Sequence, residues 1–511
     1  MPWKHNEPIV ERLARERGPG FTPSQARVAL LYPSPYRAGM SSLGFQWIHE
    51  LLTRAGFAVE RAFLPDDVDA WRRSRLPLCT YETQTPLRDF PIIGVSLAYE
   101  LELAGMLTAF ELAGIPARRE DRTGYDPLVL LGGPLTFSNP LPAAPFVDAM
   151  LLGEAEETVV PAVEAAISGG LDALRAAVAA LPGGYLPDRD GDRLPTIAKA
   201  SDAELPARSR IIAPDAELSS MFLLEGERGC HRQCTFCVMR RSTNGGMRLV
   251  TADRVLSLVP DYAPRVGLVG AAISDHPELV PILEALIAAG KGVGISSLRA
   301  DRVARKPRIA ELLRQGGYNT LTVASDAASQ RLRREMSKGT TEQHLIDCAR
   351  QAAEHRYKVL KVYMMIGVPG ETDADLDELV RFSLELGGIH PVAIGMAPFV
   401  PKLNTPMLND GFVGLKVVES RLKRLETAFK PSRGRVELRA TSARWAWVEA
   451  VLAQGDAQTG LAVMHAVRAG GAFADYKRAF AEFAPHSVAR AARGEESPRP
   501  ALTAAGVGVG V

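Results

Sequence analysis

The chain has 511 residues, 46% of them hydrophobic and 23% charged, with a formal net charge of +1. That length exceeds what one hydrophobic core supports, so two to four domains are expected. Near-neutrality leaves no global field to draw nucleic acid or a membrane surface, and no apolar run reaches the roughly 18 residues of a membrane span.

Residues 1–24 read as an N-terminal arm. Its MPWKHNEPIVERLARERGPG carries charges throughout and is not a signal peptide. A cytoplasmic location is expected, where thiols stay reduced. From Val28, VALLY is a short apolar strand, SSLGFQWIHELLTRAG an amphipathic helix closed by Gly56, and VERAF a second strand. PIIGVSLAYELELAGMLTAFELAG joins a buried strand, Ile92–Ser96, to a helix ending at Gly114. PLVLLGGP and FVDAMLLGEAEE supply two further strands that stop at glycine. Strands alternating with helices, and nearly continuous in apolar residues, predict a doubly wound parallel sheet over residues 25–168. Such sheets bind ligands beyond the carboxyl ends of their strands, where the loops from Pro33, Ser96, Gly132 and Gly153 lie. Residues 169–217 are rich in proline, glycine and aspartate and read as a linker.

A second alternating series begins at Met221. Its predicted strands are Met221–Leu224, Val266–Val269, Val293–Ser297, Thr320–Val323, Val359–Met365 and Val392–Met396. Helix starts are signalled by Thr340 with Gln343 and by Thr372 with Asp375. Six βα units over residues 218–410 predict an α/β architecture with a partial barrel, its chemistry in the loops that follow the strands. Residues 411–490 read as a small helical region, with Trp445 and Trp447 plugging its core. Residues 491–511 lack any amphipathic period and read as a disordered tail.

ERGCHRQCTFC, from Glu227 to Cys237, holds three of the chain's five cysteines, spaced Cys-x₃-Cys-x₂-Cys. An odd number of cysteines in a reducing compartment argues against a disulfide framework and leaves metal binding or catalysis. A structural zinc site needs four ligands, and only Cys79 and Cys348 remain, one in the other domain and one in a predicted helix. His231, adjacent to Cys230, is an awkward fourth ligand to the same ion. Three thiolates suit a cubane with one iron left open.

GCHRQCTFC after the first strand of a six-fold βα series resembles the radical S-adenosylmethionine (SAM) superfamily. The resemblance implies that Cys230, Cys234 and Cys237 hold a [4Fe–4S] cluster whose fourth iron chelates SAM. Reductive cleavage of SAM then yields a 5′-deoxyadenosyl radical, and Phe236 lies against adenine. GISSLRAD, TLTVASDAASQRLRREMSKGTT, KVYMMIGVPGET and FVPKLNTP resemble later strand motifs of the branch with Elp3/MiaB-like cores. By that resemblance Ser296, Arg299, Asp326 and Arg331 contact polar groups of SAM, and the Ile366–Gly367 backbone its adenine. Glu371 is expected to help start a helix, and Lys338 to be a solvated charge. The turn after the second strand, often Gly-Gly-Glu in this family, is here VGAAISDHPE. The SAM amino group is therefore expected at carbonyls near Ala271 or at Ser274 and Asp275. Asp326 stands where the branch usually carries glutamate.

A doubly wound domain ahead of such a core resembles cobalamin-dependent members of the superfamily. Ser96, Leu97, Gly132, Gly133 and Gly153 are the residues this resemblance offers to cobalamin. The Asp-x-His-x-x-Gly signature that supplies an axial histidine is absent, and the first loop reads PSPYRAGMSSLG. The implied function is a radical SAM enzyme, a cobalamin-dependent methyltransferase acting on an unactivated carbon of a small molecule, fed by flavodoxin or ferredoxin. One alternative is an RNA-modifying enzyme of methylthiotransferase type without cobalamin, although the amino-terminal half holds only Cys79. Another is a non-catalytic iron–sulfur redox sensor.

Overall fold

The computed structural model describes residues 6–239, 246–296 and 298–493. The segment 494–511, most of the expected tail, lies outside them, as does Ser297 at the end of one expected strand. The described residues form two compact units, one of residues 6–222 with 451–488 and one of 223–450 with 489–493.

The first unit is built on six strands: β1 (Arg27–Pro35), β2 (Ala58–Leu64), β3 (Ile92–Ser96), β4 (Leu128–Gly132), β5 (Ala149–Leu151) and β6 (Gly184–Tyr185), in the order β2-β1-β3-β4-β5-β6. β1 runs parallel to both β2 (Arg27↔Ala58) and β3 (Ala29↔Ile93). Pairing continues parallel through β3–β4 and β4–β5. Val28, Leu31, Ile92, Ile93, Val129 and Leu131 have no exposed surface, which explains strands that are apolar on both faces. The order reverses between β1 and β3, so the loops at that crevice diverge. Ser42 caps the helix Leu43–Arg54 by accepting from the Phe45 N–H at 3.3 Å. The helix Glu102–Ala113 packs so closely on β1 that a Cβ at Gly105 would lie 2.1 Å from the Pro33 carbonyl oxygen. Gly105→Ala is expected to cost about 1–3 kcal/mol through backbone displacement. Chemical denaturation of the purified protein checks this, and an unchanged midpoint would refute it.

The stretch read as a linker contributes to this unit. The helix Val159–Ala180 passes through its beginning, broken at Gly170 (φ 66°, ψ −149°). β6 pairs antiparallel with β5 (Met150↔Tyr185), and Ala198 bridges to Gly153. The glycine pair at 169–170 reads as a boundary because it interrupts the period, yet the helix resumes beyond it. The expected helical carboxyl-terminal region is divided as well. The helices Ala457–Arg468 and Phe473–Phe483 belong to the first unit. There the Asn139 side-chain amide donates to the carbonyls of Leu452, Ala453 and Gly455 at 3.2, 3.1 and 2.8 Å.

The second unit holds β7 (Met221–Glu225), β8 (Glu227–Cys230), β9 (Gly246–Leu249), β10 (Arg265–Val269), β11 (Gly292–Ile295), β12 (Leu298–Arg299), β13 (Thr320–Ala324), β14 (Val359–Ile366), β15 (Val392–Pro398) and β16 (Val436–Ala440). One sheet has the order β11-β10-β7 and the next β12-β13-β14-β15-β16, while β8 and β9 form a separate antiparallel ribbon. β10–β11 and every pair from β12 to β16 are parallel, the partial barrel expected of repeated βα units. β16 was not among the expected strands. It is an edge strand buried mainly at Val436, so its sequence VELRA carries too few apolar residues to stand out. The capping box Thr372–Asp375 opens the helix Asp373–Ile389 as expected, whereas the other box is Thr341 with His344, one residue later than Thr340 with Gln343. Trp445 is 37% exposed and Trp447 half-buried, so neither plugs a core as expected.

Candidate active site on the second unit

β8 ends at Cys230, and the chain then turns toward the segment after β13. The Thr235 N–H donates to the Met336 carbonyl at 3.1 Å, and the Cys237 N–H to the Cys234 carbonyl at 3.3 Å. The Cys234 thiol lies 3.9 Å from the Ser337 carbonyl oxygen, and the Arg232 N–H points at the Cys230 sulfur from 3.4 Å. All five cysteines are uncrosslinked. Burial pushes the Cys230 and Cys237 thiols up, and the neighbouring cysteines of the trio push them further. The three cysteines fall within eight residues, at the end of β8 and in the loop after it. Among the described residues no three histidine, cysteine or acidic side chains are grouped as one metal ion would require. Uncrosslinked sulfurs whose thiolates repel one another are the donor set that a multi-iron cluster fits: its positive charge offsets that repulsion. Phe236, between two of these cysteines, is half-buried.

A charged network braces this loop. Arg232, between Cys230 and Cys234, donates both Nε and Nη2 to Asp275, at 2.8 and 3.0 Å. Arg302 also donates to Asp275, and Arg299 stands 3.9 Å from it. Although burial alone would raise its pKa, these arginines hold the Asp275 carboxyl below its usual range. Asp275 was expected at the SAM amino group, yet both of its oxygens are already engaged by arginines. Its role in the structure is to tie the cysteine loop to the turn after β10. Ser274 is likewise committed, its hydroxyl accepting from the Arg299 N–H at 3.2 Å. Arg299 forms an ion pair with Asp301 at 3.0 Å and contributes positive charge beside Cys230. The Ser296 hydroxyl donates to the Gly270 carbonyl at 3.2 Å.

Asp326 sits after β13 with φ 62°, a left-handed conformation that costs energy outside glycine and is tolerated best by Asp and Asn. Its N–H and that of Ser325 both donate to the Tyr363 carbonyl. Its carboxylate forms an ion pair with Lys338 and is close enough to Cys237 to raise that thiol's pKa. Lys338, expected to be solvated, is 7% exposed. It is buried because Asp326 gives the ammonium a partner. Arg331 lies elsewhere: it is half-exposed and pairs with Glu335 and Asp375, bracing the start of the helix Asp373–Ile389. At the end of β14, Ile366 is fully buried and Gly367 adopts φ 75°. The Gly367 N–H donates to Glu371 Oε2 at 2.7 Å, and Arg421 donates to the same oxygen at 2.7 Å. Glu371 thus shapes the turn after β14 rather than capping a helix, and burial pushes its carboxyl up to about 6.

Sequence reasoning overlooked Glu227, Arg232, Arg302 and Asp301. Nothing in the sequence signalled Glu227, three residues before Cys230, because the expected strand ends at Leu224 and β8 was not expected. Glu227 is 1% exposed, and desolvation pushes it up to about 7.

On the first unit, the loops offered to cobalamin pack against one another. Gly133 has φ 99°, and a Cβ there would fall 2.6 Å from the Leu97 carbonyl oxygen. A Cβ at Gly153 would fall 2.5 Å from both N and O of Ala198. These glycines admit the chain's own backbone. Leu97 is fully buried, and its N–H donates to the Gly132 carbonyl at 3.0 Å. Ser96 and Gly132 are half-buried.

Two family models match the chain: Radical SAM proteins, N-terminal, over residues 44–187, and Radical SAM superfamily, over residues 226–383. An uncharacterised protein of Methanocaldococcus jannaschii is 26% identical over 440 residues, covering 84% of this chain and 88% of that protein. An uncharacterised methyltransferase of Pyrococcus horikoshii is 23% identical over 271 residues, covering 50% of this chain and 58% of that protein. Among solved structures, the radical S-adenosylmethionine methyltransferase TsrM from Kitasatospora setae, with cobalamin and a [4Fe–4S] cluster bound, aligns at TM-score 0.53. The identity is 15% over 76% of this chain and 78% of that one. OxsB, a cobalamin-dependent S-adenosylmethionine radical enzyme, aligns at TM-score 0.50 and 15% identity over 79% of this chain and 56% of that one. The likeness to both is one of fold.

Proposed function

From the premise that this chain belongs to the radical SAM superfamily, we propose that it is an enzyme that cleaves SAM reductively at a [4Fe–4S] cluster. The observation that supports this is the uncrosslinked trio Cys230, Cys234 and Cys237, at the end of β8 and in the segment that follows it. When bound, such a cluster supplies one electron to the sulfonium, releasing methionine and a 5′-deoxyadenosyl radical. The chain's own residues hold and orient. Three thiolates ligate, and Arg232 with Asp275 fixes the loop that carries them. Arg299 lends positive charge beside Cys230, and Lys338 with Asp326 lends a buried polar pair beside Cys237. Phe236, half-buried, offers a surface for adenine, whereas Ile366 and Gly367 are both buried.

We propose methyl transfer to an unactivated carbon of a small molecule as the reaction class, with flavodoxin or ferredoxin as electron donor in the cytoplasm. The likeness in fold to TsrM and the weaker likeness to an uncharacterised methyltransferase support it. Cobalamin is proposed as the second cofactor on the fold of the first unit, whose sheet order reverses between β1 and β3. Gly133 and Gly153 do not fit as its cradle, since backbone already fills the space beside them. No helix among the described residues is long and apolar enough to cross a membrane.

The test is anaerobic reconstitution with iron and sulfide, then incubation with dithionite and SAM, with and without cobalamin. 5′-Deoxyadenosine and methionine are expected. A protein that binds four irons and sulfides yet forms no 5′-deoxyadenosine would overturn the assignment.

A further inference from the structure

A cavity of about 250 Å³ lies under the amino-terminal arm of the first unit, walled by the arm, the helix Leu43–Arg54, β2 and residues 210–211. The arm is fastened over it. Arg17 and Ile212 exchange backbone hydrogen bonds at 3.0 and 2.8 Å, and a Cβ at Gly18 would fall 2.6 Å from the Arg210 carbonyl oxygen. His49 and Thr53 belong to the last two turns of their helix, and Val59 and Arg61 to the first part of β2. The cavity is therefore toward the amino-terminal ends of the parallel strands, away from the loops beyond their carboxyl ends. One group of its wall is left unsatisfied by the chain. His49 is 6% exposed, and its Nδ1 is buried with no hydrogen-bond partner. Burial, with the charges of Arg61 and Arg210, holds its pKa well below the usual value, so the imidazole is neutral. A neutral imidazole still has one N–H to donate.

We infer that this cavity is a binding site for a small organic carboxylate with an apolar body. Leu13, Val59 and Ile211 supply the apolar wall. The two acids of the wall are not open to a cation, because all four oxygens of Glu16 and Glu82 accept from Arg61. Arg210 is matched by Glu50 at 2.7 Å. Arg17 differs: among the described residues its guanidinium has no ion pair or hydrogen bond, so its donors are left for a ligand. A carboxylate accepts from that guanidinium by charge-assisted hydrogen bonds, and its second oxygen can take the His49 N–H. A cavity of roughly 150 Å³ already holds benzene, so this one has space for a ring bearing a short acidic arm. No residue of the site belongs to the cysteine segment, and the inference does not rest on the function proposed above.

The test titrates the full-length protein, its cluster reconstituted, with phenylacetate and with the neutral phenylacetamide in a calorimeter. Phenylacetate is expected to bind at least about tenfold more tightly, since it alone accepts charge-assisted hydrogen bonds from Arg17. Arg17→Gln, at an exposed position, is expected to weaken phenylacetate about 10- to 100-fold and to leave the amide unchanged. His49→Phe keeps a ring in the wall and removes its nitrogens; it is expected to weaken phenylacetate about tenfold. Thermal unfolding checks that both variants are folded, and 5′-deoxyadenosine formation is expected to persist in Arg17→Gln. Equal affinity of the original protein for the two probes, or no saturable phenylacetate binding up to about 10 mM, would overturn the inference. So would phenylacetate affinity unchanged in either folded variant.

Discussion

Cys234→Ala is expected to lower 5′-deoxyadenosine formation by more than about a hundredfold and to lower bound iron with it. Removing a mere supporting residue around a metal costs 10–100-fold, and loss of a ligand costs more. Cys234 sits between the two thiols whose pKa values respond to it, and its backbone carbonyl receives the Cys237 N–H. Its removal therefore opens the donor set at its middle. Cys348→Ala is the matched control. That thiol is fully buried in the helix Glu342–Glu354, 3.5 Å from the Ala300 carbonyl, and burial pushes its pKa up. The control is expected to cost about 1 kcal/mol of stability and to keep its iron. Iron and acid-labile sulfide per chain, read beside product formation, decide the matter. A Cys234→Ala protein with full iron content and activity would exclude the cysteine trio as the cluster site.

Arg61→Ala is expected to produce the largest loss of stability in the first unit, about 3–5 kcal/mol. The Arg61 side chain is 2% exposed. It grips Glu16 with both terminal nitrogens at 2.8 Å and Glu82 through Nε at 2.6 Å. Glu82 also accepts from the Arg61 N–H, at 2.6 Å, and Tyr36 donates to Glu16 at 2.6 Å while stacking on Tyr81. Without the guanidinium, two buried carboxylates face each other uncompensated. Replacing all three members together (Arg61→Met, Glu16→Gln, Glu82→Gln) is expected to recover much of the loss, because no lone charge then stays buried. The deficit also has a sign in pH. Desolvation already holds the Glu82 carboxyl above its usual range. An acid with a raised folded-state pKa costs nothing below its unfolded value of about 4.3, and its cost grows as pH rises through the raised value. The Arg61→Ala deficit should therefore shrink toward pH 4. Urea titrations at pH 5 and pH 8 check this, and a larger deficit at the lower pH would contradict it.

Local pattern was legible wherever burial is set by a face of one element. β1, β3 and β4 announced themselves as apolar runs, and the helix starting at Thr372 through its capping box. β16 did not, because an edge strand buries too little to leave a pattern. The break at Gly170 read as a domain boundary, since a glycine pair interrupts a helix and a linker alike. The spacing of Cys230, Cys234 and Cys237 was the most informative feature, being confined to eight residues.

The charged residues around those cysteines were only partly legible. Asp275, Ser274 and Arg331 were named for their chemical type, and the fold gave each a partner: Arg232 for Asp275 across 43 residues, the Arg299 N–H for Ser274 across 25, and Asp375 for Arg331 across 44. Lys338 reads as a solvated charge and Glu227 does not stand out, because a charged side chain is solvated by default and nothing local shows that it is enclosed.

By itself, then, the order of residues determined the alternation of strands and helices and the clustering of three thiols, since both follow from neighbours a few positions apart. The tertiary structure alone decided which acids are filled by arginines, as Asp275 is, and which keep a buried oxygen without a hydrogen-bond partner, as Glu227 does. A buried charge must find its counter-charge wherever the fold brings one, and that distance in space is not written in the spacing along the chain.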